Sequence, residues 1–373
     1  MRILQVHSDL QWGGIEQWLL QVARHIDRSA FTLDLFSASV APHWADTIRA
    51  LGLGLIPSPR PSQPWEYLHA LARTLATRPR YDAIHCHFMD HGGLVLRQAA
   101  KAGIPVRIAH SHIDAGPVLD SISGWRRAYF RTQNGVLRRH ATLGLAASQE
   151  AASSMFGPAW QQDARWRILH CGIDVEAFER PLNNAALRAD LGFETNDIVF
   201  GHVGRFTAQK NHSFLMIVAR RLARLMPRAR FLWIGDGPLR AEVVEAVESL
   251  GLTDRIVFLR EHRDVPALMK GVMNAFLFPS LYEGLGLALV EAQTAGLPCF
   301  VSTAVPAEAD VVPDLVTRIS LCKEAFDWAE IIEATMRAPR RVTPDKALDL
   351  VRHSSFNIRQ STRMLEDLYL GHC

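Results

Sequence analysis

The chain has 373 residues, 48% of them hydrophobic and 21% charged, with a formal net charge of +3. At ~150 residues per domain this length suggests two domains, and the composition excludes disorder, a collagen-like repeat and a small disulfide scaffold. So small a positive surplus does not suit whole-surface nucleic-acid binding, and no nucleic-acid partner is expected. A strand is predicted over Arg2–Val6, followed by a Gly-rich turn at Trp12-Gly13-Gly14 and a helix from Ile15 to Ile26. Strands are predicted next at Thr32–Phe36, Ala83–His85 and Val106–His110, with helices around Trp44–Leu51, Trp65–Ala76, Gly93–Ala102 and Tyr129–His140. This β-α rhythm implies a parallel sheet with helices on both faces.

One more strand is predicted at Ile168–Ile173, then a polar connection with a short helix from Pro181 to Thr195. The rhythm restarts with strands at Ile198–Val203, Arg230–Ile234, Ile256–Leu259, Ala275–Phe278 and Cys299–Ser302. Between them helices are predicted at Ser213–Leu225, Leu239–Leu250, Val265–Gly271 and Leu285–Ala295. The fold class is α/β, with two doubly wound domains divided near residue 180. Ligands in such sheets sit at the carboxyl ends of the strands, so two domains facing one another would line a cleft with those loops.

The unusual residues lie in the loops. Gly13 and Gly14, between the first strand and helix, would let backbone N–H groups approach an anion, and a plain tight turn fits them equally. Arg205 and Lys210 follow a strand end in Gly201-His202-Val203-Gly204-Arg205-Phe206-Thr207-Ala208-Gln209-Lys210. An Arg fork and a Lys point charge five residues apart suit a diphosphate, although solvated surface cations are the commoner fate of both residue types. Gly235-Asp236-Gly237-Pro238-Leu239-Arg240 begins like a dinucleotide fingerprint but carries Arg240 at the third glycine position. A hydride-transfer dehydrogenase is therefore disfavoured, and a turn before a helix is expected there.

Glu283 and Glu291 stand eight residues apart in Tyr282-Glu283-Gly284-Leu285-Gly286-Leu287-Ala288-Leu289-Val290-Glu291-Ala292. Eight helical residues rise ~12 Å, beyond the ~5–9.5 Å of a hydrolytic carboxylate pair, but suited to gripping two ends of one long ligand. Glu291 among Leu289, Val290 and Ala292 needs a partner if it is buried; a solvated helix face is the alternative.

Eleven of the 16 histidines precede residue 181, with His85, His87, His91, His110 and His112 at predicted strand ends. Alternate histidines can share a metal, but no carboxylate pair completes a ligand set and no Asp-x-Asp occurs, so no metal or cofactor is expected. The simpler reading has one neutral histidine on a polar ligand and the others bonded to backbone. Arginines alternate with aromatics at Trp125-Arg126-Arg127-Ala128-Tyr129-Phe130-Arg131, which suits an anionic membrane surface or an ordinary cationic helix. Residues 1–185 carry 19 Lys and Arg against 15 Asp and Glu, whereas the remainder carries 22 against 23. The five scattered cysteines form no C-x-x-C, as expected of reduced cytosolic thiols. An N-terminus with His7 and Asp9, and the lack of ~18 uncharged apolar residues in a row, predict neither a signal peptide nor a membrane span.

These motifs resemble the retaining glycosyltransferases of family 4, which have the two-Rossmann GT-B architecture, and among them the polysaccharide-biosynthesis members. The resemblance is strongest from Phe200 to Ser302 and covers nearly the whole chain. It implies an N-terminal acceptor-side domain over 1–180 and a C-terminal nucleotide-sugar-binding domain over 181–355. A C-terminal helix over 356–373 would pack back on the first domain. Arg205 and Lys210 would hold the donor diphosphate, and Glu291 the ribose hydroxyls. Glu283 would serve the sugar near its anomeric carbon. Backbone at Gly13, Gly14, Gly286, Leu287 and Ala288 would complete the donor pocket. His112, or else His110, would be the first-domain histidine near the sugar. Asn274, where members usually carry Asp, is expected to be structural, and Pro306-Ala307-Glu308 replaces a Gly-rich stretch.

The expected activity is retaining, metal-free transfer of a hexose or N-acetylhexosamine from a nucleotide sugar, favouring UDP. The acceptor would be a lipid-linked or oligosaccharide glycan, met by a cytoplasmic protein peripheral at the inner membrane face. A UDP-N-acetylglucosamine 2-epimerase-like enzyme and a non-catalytic nucleotide-sugar-binding subunit are the alternatives.

Overall fold

Short apolar runs without room for a helix build two parallel sheets. The computed structural model describes all residues except 11–12, 78, 117–118, 120–121, 261–263 and 372–373, and side chains other than those of 42–43. Trp12 and Cys373 thus lie outside the described residues. The first sheet contains β1 (Arg2–Val6), β2 (Thr32–Ser37), β3 (Gly54–Pro57), β4 (Ala83–Cys86), β5 (Val106–Ser111), β6 (Leu143–Ala146) and β7 (Trp166–Ile168). Their spatial order is β3-β2-β1-β4-β5-β6-β7, with every pairing parallel.

The second sheet contains β8 (Ile198–Val203), β9 (Ala229–Ile234), β10 (Ile256–Leu259), β11 (Ala275–Phe278), β12 (Cys299–Ser302) and β13 (Val316–Ile319). Its order is β10-β9-β8-β11-β12-β13, again all parallel. Both orders reverse direction beside the sheet's first strand, between β1 and β4 and between β8 and β11. Loops leaving the carboxyl ends of those strands are where doubly wound sheets bind ligands.

The chain divides into two compact units, Met1–Gly172 with Ile358–Cys373, and Ile173–Asn357. Leu4, Val6, Phe36, Ile84 and Leu96 are buried in the first core, and Phe200, Phe231, Trp233, Leu277 and Trp328 in the second. The last helix, Ile358–Leu370, packs on helix Gly14–His25 of the first unit and buries Tyr369.

The strand predicted at Ile168–Ile173 is corrected. β7 ends at Ile168, and Ile173 makes only an isolated bridge to Asn357. β6 escaped the sequence reading because Leu-Gly-Leu-Ala lacks β-branched residues. Its Gly144 has a packing reason, since a Cβ there would meet the Trp166 and Phe156 rings. Helix Gly124–His140 starts well before the predicted Tyr129 and buries Phe130, Gln133, Asn134 and Leu137. A Cβ on Gly93 would strike the Gln133 carbonyl, so this glycine lets helices Gly92–Lys101 and Gly124–His140 approach closely.

Candidate active site

In the second unit, the loop after β8 carries the expected cations into different surroundings. Arg205 is exposed, and its guanidinium has no partner among the described residues. Lys210 ends a short 3-10 turn, Ala208–Lys210, and Asn211 in the left-handed region starts helix His212–Leu225. The Lys210 ammonium donates to Glu283 Oε1 at 2.5 Å and lies 4.6 Å from the Phe278 ring centre. Gln209 Nε2 donates to Glu283 Oε2 at 3.1 Å and to the Tyr282 carbonyl at 3.0 Å. The structure therefore joins two predicted residues, Lys210 and Glu283, into a part-buried ion pair that Gln209 braces. Gln209 carried no sequence signal beyond its place beside Lys210.

The glycines of Gly235-Asp236-Gly237 make the loop after β9 lie directly on the loop after β8. Phe206 N donates to Asp236 O at 2.9 Å, and Leu239 N to Phe206 O at 3.0 Å. Gly237 has φ +156°, and a Cβ there would sit 2.6–2.9 Å from the Phe206 backbone. Gly237→Ala is expected to cost about 1–3 kcal/mol, seen as a lower urea midpoint, because both clash and dihedral oppose it.

After β11 the chain turns through Glu283 to Gly286, which has φ +91° and forms the N-cap of helix Leu287–Thr294. No side chain caps this helix, so the first-turn N–H groups around Leu287 and Ala288 are left for a ligand or water. A Cβ on Gly286 would crowd Val305 and Phe278. Glu291 lies on this helix, part-buried, with no hydrogen-bond or ion-pair partner among the described residues. Burial pushes its carboxyl up to about 7. Gln293 ties the same helix to the turn at Ala307–Ala309, donating to Ala309 O at 2.7 Å and accepting from Val312 N at 2.7 Å. Asn274 accepts from Val199 N at 2.8 Å and from Arg188 at 3.4 Å, so its work is to join strands and helix.

In the first unit, the loops after β1, β4 and β5 surround a cavity of about 530 Å3. Its lining includes His7, Asp9, Glu16, Arg60, Asp90, His110 and His112, a polar set suited to a hydroxyl-rich ligand. Gly13 is the extended N-cap of helix Gly14–His25, again without a side-chain cap. The Glu16 carboxylate lies against the place a Gly13 Cβ would take, and stands 3.9 Å from His7 Nε2.

In and behind the cavity wall His85, His87, His110 and His112 gather around Trp18, whose ring centre lies 5.1 Å from that of His110 and 5.6 Å from that of His112. The expectation that most of these histidines bond to backbone is corrected: they bond to one another and to side chains. His85 contacts Tyr369 Oη at 2.6 Å and His110 at 3.0 Å, while His87 contacts Gln5 at 2.9 Å and His112 at 2.8 Å. His112 Nδ1 also faces Cys171 Sγ at 3.6 Å, so both its ring nitrogens are engaged. His110 Nε2 has no partner among the described residues. Desolvation holds His85 at about 3 and His87, His110 and His112 far below the ordinary imidazole value, so all four are neutral. Two groups, His85/His87/His110 and His110/His112/Cys171, have ligand atoms close enough to hold a metal ion. The pairing of β4 with β5 brings the His-Cys-His and His-Ser-His segments side by side, a juxtaposition legible from their equal spacing.

Comparison with known proteins decides the family. The "Glycosyltransferase Family 4" model matches residues 12–177 and the "Glycosyl transferases group 1" model residues 183–341. EpsF of Bacillus subtilis (strain 168), whose name places it among glycosyltransferases, is 32% identical over 351 residues, covering 91% of this chain and 88% of its own. The chain belongs to glycosyltransferase family 4. This transferase is also 26% identical over 313 residues to the UDP-Gal:alpha-D-GlcNAc-diphosphoundecaprenol alpha-1,3-galactosyltransferase of Escherichia coli, covering 79% of this chain and 77% of that one.

The fold of this family 4 enzyme is GT-B. Anabaena Alr3699/HepE in complex with UDP and glucose superposes with a TM-score of 0.82 at 20% identity, over 100% of this chain and 99% of that one. WaaG, a glycosyltransferase involved in lipopolysaccharide biosynthesis, gives 0.78 at 16% identity over all of both chains. Membership makes the protein a hexosyltransferase. Among the described residues, no helix is long and apolar enough to cross a membrane.

Proposed function

We propose that this transferase moves a hexose or N-acetylhexosamine from a UDP-sugar to a lipid-linked or oligosaccharide acceptor in polysaccharide biosynthesis, with retention of anomeric configuration. The observation that carries the reading is the group at the carboxyl ends of β8 and β11: the Lys210–Glu283 pair, the exposed Arg205 and the uncapped helix start at Gly286. Cleaving a glycosyl–phosphate bond leaves negative charge on the diphosphate. Arg205, Lys210 and the N–H groups of Leu287 and Ala288 are donors that can stabilise it without a metal. Glu283, fixed by Lys210 and Gln209, serves the electron-poor sugar, and Glu291 accepts from the ribose hydroxyls. The donor phosphate itself takes the acceptor proton in this scheme, so no dedicated protein base is required.

The names of the relatives support donor and acceptor class. The Escherichia coli relative uses UDP-galactose and a diphosphoundecaprenol-linked sugar, and Alr3699/HepE has been crystallised with UDP-glucose. Calorimetric titration tests the reading. UDP and UDP-glucose are expected to bind equally well with and without EDTA, and Arg205→Ala to weaken both by about tenfold or more. Absence of binding, or binding untouched by Arg205→Ala and Glu291→Ala, contradicts it.

The acceptor side suits a peripheral protein at the inner face of a membrane. Helix Gly124–His140 exposes Arg126, Arg131 and Arg139 together with Trp125, which is 70% exposed and stacks under Arg126. Each cation near an anionic surface contributes roughly 1 kcal/mol. Arg126→Glu with Arg131→Glu is expected to abolish sedimentation with phosphatidylglycerol vesicles, and high salt to weaken the wild-type protein. Equal binding to neutral vesicles contradicts this part.

A further inference from the structure

Two strings of buried hydrogen bonds run from Gln5 to the cavity histidines. Gln5 and Tyr369 are each 1% exposed, and with the Gln5 amide oriented as it is in the structure, the donor–acceptor inventory of neutral side chains sets every proton along them. Gln5 Nε2 donates to Tyr369 Oη at 2.9 Å, which turns the single tyrosine proton toward its other neighbour, His85 Nδ1, at 2.6 Å. A neutral histidine that accepts at Nδ1 carries its proton on Nε2. His85 Nε2 therefore donates to His110 Nδ1 at 3.0 Å, and His110 in turn carries its proton on Nε2. On the other arm His87 Nε2 donates to Gln5 Oε1 at 2.9 Å, so His87 Nδ1 accepts from His112 Nε2 at 2.8 Å. That leaves His112 Nδ1 as acceptor toward Cys171, which burial keeps as a thiol.

The consequence differs between His110 and His112, two of the histidines that line the cavity. His112 spends both nitrogens inside the network. His110, 1% exposed, is a residue of the cavity lining and keeps one unpartnered atom among the described residues, the buried Nε2. We propose that Gln5 and Tyr369 are positioning residues that hold His110 as the Nε2–H tautomer, a fixed hydrogen-bond donor to an oxygen of the ligand in the first-unit cavity. Tyr369 acts through His85, and Gln5 sets the sense of both strings with one amide. A sugar hydroxyl or ring oxygen is the ligand chemistry that such a donor meets. That last step rests on the proposed transferase reading, whereas the tautomer assignment does not.

Long-range proton–nitrogen NMR of the full chain labelled with 15N-histidine tests the proposal. In the wild-type protein all four histidines are expected as Nε2–H tautomers. Tyr369→Phe removes the proton given to His85 and is expected to leave His85 and His110 as tautomer mixtures while His87 and His112 stay unchanged. Gln5→Met is expected to release both strings. A packing role alone would shift all four signals or none. His110 in the Nδ1–H form in the wild-type protein overturns the proposal without any variant, as does an unaltered His110 in a folded Tyr369→Phe protein. In the transfer assay Tyr369→Phe is expected to lower kcat about tenfold with donor KM within about twofold. A released tautomer with unchanged kcat would leave the relay standing and remove its part in transfer.

Discussion

Lys210→Met is expected to lower kcat for sugar transfer by about two to three orders of magnitude, the usual loss when one fixed electrostatic donor is removed from a developing anion. The same substitution strands Glu283, which is 6% exposed and has lost its 2.5 Å partner. A buried carboxylate without its cation costs about 3–5 kcal/mol, so the single variant combines a chemical and a structural loss. The double variant Lys210→Met/Glu283→Gln separates them. It removes both charges, keeps an amide that can meet Gln209 and is expected to recover most of the urea stability and none of the activity. Recovery of turnover together with stability would mean that the pair only holds the loop after β11 against the loop after β8. Kinetics and denaturation on the three proteins give the answer.

The second large effect concerns Glu291, whose carboxyl desolvation raises from an ordinary 4.5 to about 7. The folded state thus binds this proton more tightly than the unfolded one. Its destabilising contribution is absent below the unfolded pKa, grows between about pH 4.5 and 7, and is fully present above that window. Glu291→Gln is therefore expected to raise the thermal midpoint at pH 8 and leave it nearly unchanged at pH 4.5. Ligand binding runs the other way. Ribose hydroxyls donate best to the ionised carboxylate, so affinity for UDP-glucose is expected to rise as pH climbs from 6 to 8. UDP-glucose has no phosphate proton of its own titrating there, which isolates Glu291. In Glu291→Gln the slope should vanish, and affinity at pH 8 should fall by roughly 10–100-fold, the value of hydrogen bonds to a charged acceptor. A pH slope that survives the substitution would assign the titration to another group.

Much of this arrangement is legible in the chain itself because its strands are short, apolar and separated by helices with clear periodicity. Ile198–Val203 and Ala275–Phe278 appear in the sequence with the bounds they have in the structure. Arg205, Lys210 and Glu283 in the loops after them, and Glu291 on the helix that follows, stand out as charges among apolar and glycine residues. The pairing of Lys210 with Glu283 was not legible. It depends on the parallel neighbouring of β8 and β11, strands that lie more than 70 positions apart, and on Gln209, an ordinary polar residue in isolation. The histidine network was half legible. Two His-x-His segments ending adjacent strands predict a cluster, yet its polarity comes from Gln5 and Tyr369, separated by 364 positions and joined only when the last helix docks on the first unit. β6 and the strand at Gly54–Pro57 were missed for the opposite reason: Leu-Gly-Leu-Ala has no β-branched residue, and Gly-Leu-Ile-Pro has one and is framed by turn-forming Gly and Pro.

Incubating the purified transferase with a panel of UDP-sugars, with and without a membrane lipid extract, and following products by mass spectrometry and NMR tests the central claim most directly. The expected result is UDP release that requires acceptor, a product heavier by one hexose or N-acetylhexosamine, and an anomeric configuration equal to that of the donor. Conversion of a UDP-sugar with no acceptor present would make this an epimerase, and donor binding without turnover under any acceptor would make it a binding subunit; either result contradicts the account.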